Sequence, residues 1–291
     1  MENIVQISEL EFSYATSKQP AIREINLNIK KGEYVVVAGL SGCGKSTFCR
    51  CINGLIPHFY RSGVMKGSVI VDGLDTREHP LYEITQKVGM VFQDPESQLM
   101  SLTVERDIAF GPENLGLPRE EIRARVEEAL ELTKIQHLRE RAPHELSGGE
   151  QQCVAIASVL ALQPKILVLD EPTANLDPVS AVDILNIIEN LRAQKKITVI
   201  IVEHRLELVL QNATRFLIIH DGELVFDDKP EKLIATNITP DETYGVQIPS
   251  LVRLFMQLIN EGIPIQQIPL NVPQAASVIL KELGLIRSSS E

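Results

Sequence analysis

Residues 39–47, with the sequence GLSGCGKST, constrain the fold of this 291-residue chain more than any other stretch. They match the pattern G-x-x-x-x-G-K-[ST] in full, with a predicted strand before them and a predicted helix after them. In such a loop, backbone N–H groups curl around a phosphate, and the lysine reaches the β- and γ-phosphates of a nucleotide. A glycine-rich turn with an incidental Lys-Ser is the alternative, and the flanking elements disfavour it. We expect nucleotide contacts from Gly39, Ser41, Gly42, Cys43, Gly44, Lys45, Ser46 and Thr47.

An acidic pair follows the apolar run ILVL at 166–169. The run predicts a strand buried on both faces, which would deliver Asp170 and Glu171 to the end of the sheet beside the phosphate loop. Ser46 and Asp170 are then candidate Mg²⁺ ligands, and Glu171 is the candidate general base that orients or deprotonates the attacking water. For an isolated pair, a solvated acidic turn at the end of a strand would be the common alternative.

Strands and helices alternate along the chain, which predicts an α/β fold around a parallel sheet. The predicted buried strands are Tyr34–Ala38, Ser68–Val71, Val88–Phe92, Ile166–Leu169 and Thr198–Val202. The predicted helices run from about Ser46 to near Gly54, over Arg119–Ile135 and over Pro178–Gln194. Alternating apolar residues in the first 30 positions, such as Ile25, Leu27 and Ile29, indicate antiparallel strands, and Asp221-Gly222 indicates a hairpin over Phe216–Phe226.

Composition and charge disfavour several classes of protein. The net charge of −11 argues against a nucleic-acid partner, because neutralising a phosphate backbone requires lysine and arginine. The start of the chain does not resemble a signal peptide, and no apolar run approaches the roughly 18 residues of a membrane span. We expect a cytosolic chain, or one attached to a membrane through a partner. The thiols of Cys43, Cys49, Cys51 and Cys153 are expected to be reduced and structural rather than disulfide-bonded or metal-binding.

The stretch LSGGE at 146–150 completes a set of motifs that resembles the ATP-binding cassette (ABC) ATPases. The resemblance runs from about residue 2 to residue 235 and includes every motif of that family in order. It implies that Tyr14 stacks on adenine, although a tyrosine on a strand face is the alternative. It also implies that Gln93 touches Mg²⁺ and the attacking water, and that His204 contacts the γ-phosphate. Taken alone, His204 would be a satisfied surface histidine.

The same resemblance explains why a second glycine-rich phosphate grip follows the first. In ABC ATPases this second motif closes on the γ-phosphate bound to another subunit, so that two ATP molecules are buried between two chains. It implies that Ser147, Gly148 and Gly149 bind the partner's nucleotide and that Asp177 lies in a loop that crosses the dimer interface. Hydrolysis would release the contact with the γ-phosphate and open the dimer.

Within that family, VFQDPESQ at 91–98 and the following LTVERDIAFGPENLGLP resemble the ATPases of energy-coupling factor (ECF) transporters, which import cobalt and vitamins. This resemblance implies a short extra helix with Pro95 and Gln98 near the coupling site. It also implies an integral-membrane coupling protein, a separate membrane protein that binds the substrate, and a position at the cytoplasmic face of the cell membrane. Both half-sites are intact in this chain, so pairing with an identical copy and pairing with a sibling ATPase both stay open.

The family resemblance, together with a shift in composition after about Ala235, predicts three regions. Residues 1–236 would form the ABC ATPase domain, a P-loop NTPase with a parallel core sheet, an antiparallel β subdomain and an α-helical subdomain over about 94–162. Residues 237–250, rich in threonine and proline, are expected to be a linker. Residues 251–291 are expected to form a small C-terminal helical appendage that helps to hold two ATPases together.

One position departs from the family pattern. Cys153 follows LSGGEQQ, where the family usually has a basic residue. Neutral drift on a helix surface is one interpretation. The other is a missing positive charge near the dimer interface that weakens ATP-driven closure or slows turnover.

Two other functions stay open. A soluble ABC ATPase without a transporter is the first. Residues 47–146 are too few for the coiled coil of the DNA-repair type, and the translation type carries two cassettes. An iron–sulfur assembly role survives, although the C-terminal segment argues against it. A nucleotide-binding pseudo-ATPase is the second, and the presence of both Glu171 and His204 argues against that.

Overall fold

The computed structural model describes residues 2–235, 244–265 and 268–282. The strands are β1 (Asn3–Ser13), β2 (Ile22–Lys30), β3 (Tyr34–Ala38), β4 (Val64–Val71), β5 (Leu74–Asp75), β6 (Val88–Val91), β7 (Ile166–Asp170), β8 (Thr198–Val202), β9 (Arg215–His220) and β10 (Glu223–Asp228). The α-helices are α1 (Lys45–Ile52), α2 (Leu55–His58), α3 (Leu81–Thr85), α4 (Val104–Asn114), α5 (Arg119–Thr133), α6 (Gly148–Leu160), α7 (Pro178–Lys195), α8 (Leu206–Val209), α9 (Pro230–Ala235), α10 (Ser250–Asn260) and α11 (Val272–Glu282). Short 3₁₀ helices cover Pro95–Gln98, Gln136–Leu138, Pro143–Glu145 and Leu210–Asn212.

The central sheet has six strands in the order β10-β9-β3-β8-β7-β6. The strands from β9 to β6 run parallel to one another, and β10 returns antiparallel to β9 as the predicted hairpin. The parallel core predicted from the alternation of strands and helices is therefore confirmed. Its strands read as continuous apolar runs because both faces are covered, and every residue of β3, β7 and β8 is buried.

The register of this sheet aligns the ends of four neighbouring strands. Val202 at the end of β8 pairs with Val37 of β3 on one side and with Asp170 of β7 on the other. Val91 at the end of β6 pairs with Leu169 of β7. The segments that leave these four strands therefore start at one edge of the sheet, where α/β folds place their ligands.

A second sheet of four antiparallel strands, in the order β2-β1-β4-β5, forms a separate layer. It contains Ser68–Val71, which was predicted as a buried strand alongside those of the parallel core, and β4 in fact pairs antiparallel with β1. That expectation was wrong because a short apolar run does not identify the kind of sheet to which a strand belongs. Only Val69 and Val71 of this run are buried, as expected of a strand with one face on the core.

Three apolar clusters hold these layers together. The first joins the antiparallel sheet to one face of the central sheet and includes Phe48, Cys49 and Cys51 of α1. The second covers the other face of the central sheet with side chains of α6 and α7, and the third lies among α4, α5 and α6. Successive residues of β3 enter opposite clusters, which is the alternation that a strand imposes.

The predicted helices are present with small differences at their ends. The helix predicted from Ser46 is α1, the helix predicted to Ile135 is α5 and ends at Thr133, and the helix predicted to Gln194 is α7 and ends at Lys195. Half of the predicted linker, residues 237–243, lies outside the described residues, as do the last nine positions of the chain. None of the helices in the described ranges combines the length and apolar character that crossing a bilayer requires.

Leu167 tests the importance of the central sheet. The side chain of Leu167 in β7 is fully buried, whereas that of Leu102 is 74% exposed. Replacing Leu167 with alanine should lower the free energy of unfolding by about 2–5 kcal/mol, because the variant loses apolar burial and leaves a cavity. The same change at Leu102 should alter it by no more than about 0.5 kcal/mol. Urea denaturation followed by far-UV circular dichroism measures both values, and equal effects at the two positions would contradict this assignment of the core.

Candidate active site

The loop between β3 and α1 has the backbone conformation that a phosphate-binding loop requires. Gly39 and Gly44 have positive φ angles of 146° and 113°. A Cβ atom at Gly39 would lie 2.1 Å from the carbonyl oxygen of Ile219, and one at Gly44 would lie 2.5 Å from that of Ala21. Glycine is therefore needed at both positions, because the neighbouring backbone leaves no room for a side chain.

Lys45, the first residue of α1, lies across this loop. Its Nζ donates to the carbonyl oxygens of Gly39 at 2.9 Å and Leu40 at 2.8 Å, and the side chain is 4% exposed. The Sγ atom of Cys43 lies 4.0 Å from the same ammonium group, and burial raises the pKa of that thiol. One buried cation therefore lies within the curve of the loop, where the β- and γ-phosphates of a nucleotide would lie.

Ser46 and Asp170 meet beside this lysine. The Ser46 hydroxyl donates to Oδ1 of Asp170 at 3.1 Å, and Asp170 is 5% exposed at the end of β7. Burial raises the pKa of Asp170, and the hydrogen bond from Ser46 opposes that shift. A hydroxyl and a carboxylate are hard oxygen ligands, and Mg²⁺ is commonly held by only one or two such protein ligands together with phosphate oxygens. In the described part of the chain, no group of three or more His, Cys, Asp and Glu residues is arranged to hold a metal without such help.

The Glu171 carboxylate is held between two side chains from neighbouring loops. Its Oε2 accepts a hydrogen bond from Nε2 of Gln93 at 3.0 Å, and its Oε1 lies 3.0 Å from Nε2 of His204. Its backbone N–H donates to the carbonyl oxygen of Val202 at 3.0 Å. The three predicted residues Glu171, Gln93 and His204 therefore lie together, although they come from three different strand ends. A carboxylate held in this way can orient a water molecule and accept its proton.

Tyr14 lies beside the phosphate-loop helix, in an aromatic group with Phe12 and Tyr60. Its ring makes edge-to-face contacts with theirs at centroid distances of 4.9 and 5.6 Å. Its hydroxyl lies 3.0 Å from Oγ1 of Thr47 and accepts a hydrogen bond from Arg50 at 3.3 Å. These contacts place Tyr14 next to the nucleotide grip, and its stacking on adenine stays a prediction.

The second grip, Ser147 to Gly149, opens α6 at a different place. The Ser147 hydroxyl accepts a hydrogen bond from the Glu150 N–H at 3.4 Å, and Oε2 of Glu150 accepts from the Ser147 N–H at 2.8 Å. This reciprocal capping box satisfies backbone donors at the helix start, and the hydrogen bonds from Ser147 lower the pKa of Glu150. A Cβ atom at Gly148 would lie 3.7 Å from the side chain of Leu176, and one at Gly149 would lie 3.1 Å from that of Ser180. No hydrogen bond links 147–149 to 39–47 in the ranges that the structure covers.

Asp177 has a structural role at the start of α7. Its Oδ1 accepts hydrogen bonds from the N–H groups of Val179 at 2.9 Å and Ser180 at 3.1 Å, and its Oδ2 accepts from the Ser180 hydroxyl at 2.5 Å. These bonds, the one from the Ser180 side chain first, lower the pKa of Asp177. Asp177 thereby fixes the loop that leads into α7, beside the second grip. A direct contact between Asp177 and a partner subunit stays a prediction.

Sequence reasoning missed Glu203, which lies directly before His204. It is buried, and its carboxylate accepts hydrogen bonds from the backbone N–H groups of His204 and Arg205 and from the Thr173 hydroxyl. The available signal was an acidic residue immediately after the apolar run of β8. From the sequence alone, such a residue is interpreted as the solvated end of a strand. Only the structure shows that the segment containing Thr173 covers it.

Cys153 is only partly exposed on the helix surface, where one interpretation of the sequence placed it. Its side chain is half-buried in α6. It packs against the second apolar cluster, between the central sheet and α6 and α7, and against the third, among α4, α5 and α6. It lines a cavity together with Ser147, Glu150, Ser180 and Asp183. Burial raises the pKa of Cys153 to about 12, with smaller contributions from Asp183 and Glu150. The cysteine is therefore a packing residue next to the second grip.

Comparison with known proteins gives one family. Residues 22–174 match the family model described as "ABC transporter". The chain is 46% identical over 261 residues to a Pyrococcus abyssi protein named as an ABC transporter ATP-binding protein, covering 90% of this chain and 92% of that one. A Methanosarcina acetivorans protein with the same description is 39% identical over 289 residues, and this chain spans 46% of its length.

Two solved structures extend the comparison to the fold. CbiO1 from Clostridium perfringens, part of the ABC transporter complex cbiONQ, is 33% identical with a TM-score of 0.73 over 88% of this chain and 99% of its own. The ABC transporter cassette MJ0796, known as a dimer, is 30% identical with a TM-score of 0.67 over 77% of this chain and 98% of its own.

The packing of Cys153 predicts a slow and strongly pH-dependent reaction of its thiol. Because its pKa is raised to about 12, the group is protonated at pH 8, and about a thousandfold less thiolate is present than for a pKa of 9.0. Alkylation of the folded protein by iodoacetamide should therefore be slow and should keep rising by about tenfold per pH unit from pH 8 to 10.

The reference thiol for this measurement is an added cysteine at Val64, which is 61% exposed. Its alkylation should be fast and should level off towards pH 10, about one unit above a pKa of 9.0. Peptide mapping by mass spectrometry follows both sites in one sample. Equal rates and equal pH profiles at the two positions would show that Cys153 is not buried as described.

Proposed function

Because this chain belongs to the ABC transporter ATP-binding proteins, we propose that it is the ATPase subunit of an importer of the energy-coupling factor type. Its activity is ATP hydrolysis coupled to transport. The observation that carries the catalytic part of the proposal is the placement of Glu171 between Gln93 and His204, beside the phosphate loop. The cargo, a metal ion or a vitamin, would be bound by a membrane partner.

In the proposed mechanism the chain's own residues position and activate water. The phosphate loop and Lys45 bind the β- and γ-phosphates, and Tyr14 contacts the adenine. Ser46, Asp170 and Gln93 would hold Mg²⁺, which neutralises charge on the phosphates. Glu171 orients a water molecule whose oxygen forms a bond to the γ-phosphorus while the bond to the β-γ bridging oxygen breaks. The proton of that water passes to Glu171, and His204 contacts the oxygens of the γ-phosphate.

The second grip is proposed to complete the site of another subunit. Ser147 begins α6 with a capping box, and the neighbouring loop is held by Asp177 at the start of α7. A rigid helix start of this kind offers N–H groups and a partial positive charge to an anion. We propose that this surface closes on a γ-phosphate held by a partner chain's phosphate loop, and the dimer of the similar MJ0796 cassette supports that arrangement. The partner is an identical chain or a sibling ATPase.

The surface proposed to couple with the membrane protein follows Gln93. The Pro95–Gln98 helix matches the short helix expected there, and the Gln98 side chain accepts from the Phe92 N–H at 2.8 Å, which closes the loop onto the end of β6. Met100 and Leu102 are 73% and 74% exposed. The buried Asp107 accepts hydrogen bonds from the N–H groups of Met100 and Ser101 at 3.1 Å, so the exposed apolar side chains stand on a fixed loop.

This arrangement suits a partner with an apolar docking segment, because exposed apolar side chains on a rigid loop gain most from burial. Similarity to CbiO1, part of the complex cbiONQ, supports an importer with integral-membrane components. We propose a transmembrane coupling protein at this surface and a substrate-binding membrane protein beyond it. The net charge of −11 supports the absence of a nucleic-acid partner.

Glu171→Gln tests the catalytic assignment. The amide keeps the shape of the side chain but does not accept the proton of water, so hydrolysis should fall by about 100-fold or more while ATP still binds. Because ATP is bound and not cleaved, the variant should accumulate a dimer with ATP, measurable by size-exclusion chromatography with light scattering. The exposed Glu231→Gln is the matched control and should behave as the unmodified protein. Wild-type hydrolysis by Glu171→Gln would show that Glu171 is not the base.

Replacing both Met100 and Leu102 with serine tests the transport assignment. A tagged chain purified from detergent-solubilised native membranes should bring integral-membrane proteins with it, identified by mass spectrometry. The double variant should lose most of them, because the apolar contacts are gone, while the isolated protein keeps its ATPase rate. Val64→Ser, at another exposed apolar residue, is the control and should retain the partners. Recovery of soluble partners alone would overturn the transport proposal and favour the iron–sulfur assembly alternative.

A further inference from the structure

Glu203 occupies a position where a strand would ordinarily continue with an apolar residue. It follows β8 directly, and its N–H donates to the carbonyl oxygen of Val37 at 3.3 Å, so its backbone prolongs the ladder between β8 and β3. Only 2% of its surface is exposed. Burying a carboxylate is costly unless hydrogen bonds satisfy its oxygens. The hydrogen-bond partners of Glu203 therefore indicate its structural role.

One oxygen of the carboxylate fixes the backbone at His204. Oε1 accepts hydrogen bonds from the N–H groups of His204 at 2.8 Å and Arg205 at 3.1 Å. Two donors on one oxygen orient two successive peptide units. The direction in which the His204 side chain leaves the chain is thereby set by Glu203.

The other oxygen binds the segment that follows Glu171. Oε2 accepts a hydrogen bond from the hydroxyl of Thr173, which is fully buried. Arg205 makes a second link between the same two segments, since its guanidinium donates to the carbonyl oxygens of Thr173 and Leu176. Over the described ranges, no side-chain nitrogen of a Lys, Arg or His residue lies within 4 Å of the Glu203 carboxylate, so its hydrogen-bond partners are neutral donors.

We propose that Glu203 is a positioning residue that locks the segment of His204 to the segment of Glu171. Each of its two oxygens binds one of the two segments. The His204 imidazole belongs to one segment and the Glu171 carboxylate to the other, and these two side chains are 3.0 Å apart. The inference rests on the proposed catalytic roles of His204 and Glu171. When the γ-phosphate leaves, the two segments move together rather than separately.

The role requires a side chain with two polar atoms on a planar end. Glutamine meets this requirement, because its oxygen can accept from both N–H groups while its NH₂ group donates to the Thr173 hydroxyl. Alanine does not, and it leaves three donors without their acceptor. A displacement of about 1 Å at a catalytic group can cost about 100-fold in rate.

The test compares Glu203→Ala and Glu203→Gln in the full chain with MgATP. The alanine variant should lower kcat by at least about tenfold and leave the Kd for ATP within about threefold, because the phosphate loop is untouched. The glutamine variant should recover a rate within about threefold of the unmodified protein. Glu207→Ala, at an exposed carboxylate four residues along the same segment, is the matched control and should leave kcat unchanged. Unchanged kcat in Glu203→Ala, or equal losses in both Glu203 variants, would overturn the proposal.

A double-variant cycle separates positioning from general stability. If Glu203 acts through His204, Glu203→Ala should lower kcat by no more than about twofold in a His204→Ala background. Losses that multiply would overturn the proposal. Wild-type hydrolysis by His204→Ala itself would instead overturn the proposed role of His204, on which this inference rests. If His204→Ala is inactive and Glu203→Ala is fully active, only the positioning role of Glu203 is overturned.

Thr173 provides the second pair of variants, should Glu203→Ala fail to fold. Thr173→Val keeps the shape of the side chain and removes the hydroxyl donor, while Thr173→Ser keeps the donor. We expect the valine variant to lower kcat by about threefold or more at unchanged ATP affinity, and the serine variant to retain most of the rate. Equal rates in the two variants would overturn the link between Glu203 and the segment from Thr173.

Discussion

Hydrogen bonding among β3, β8, β7 and β6 fixes where each strand ends, and every group at the candidate site depends on those ends. The backbone pairs put Val202 level with Val37 and Asp170, and they put Val91 level with Leu169. A shift of one residue in any pair would move the segment beyond it by about 3.3 Å. The 3.0 Å contacts of Glu171 with Gln93 and His204 would then be lost. Buried, parallel strands resist such a shift, because both of their faces pack against other layers.

Beyond the strand ends, polar side chains rather than the sheet hold the loops. Gln98 closes the loop after β6, Asp177 caps α7 after the loop from β7, and Glu203 binds the backbone after β8. Each of these side chains accepts hydrogen bonds from backbone N–H groups that no strand or helix would otherwise satisfy. These hydrogen bonds make the loops rigid independently of the sheet. A site whose side chains must stay about 3 Å apart requires such rigidity.

The sequence predicted the elements that position the candidate site better than it predicted the surroundings of those elements. The phosphate loop and the pair Asp170-Glu171 follow from local patterns, because a motif and an apolar run of four residues determine both the element and its end. Ser68–Val71 was assigned to the wrong kind of sheet, because a short apolar run carries no information about its pairing partner. The half-buried position of Cys153 and the contacts of Glu203 depend on α7 and on Thr173, which lie far away in the chain. Such contacts arise from the fold as a whole, and a local pattern does not contain them.

Glu171 links the reaction to both surfaces that the proposed function needs. Gln93 belongs to the loop that leads to the exposed Met100 and Leu102. The segment after Glu171 runs to Asp177 at the start of α7, beside the second grip. A γ-phosphate bound beside Glu171 would add contacts to the loops on either side of it. Losing those contacts on hydrolysis would weaken the hold on both loops at once. A ligand shifts a conformational equilibrium only through interactions that differ between the two states. Under the proposed function, one carboxylate held by two loops would therefore couple phosphate release to the proposed membrane partner and to the proposed second subunit together.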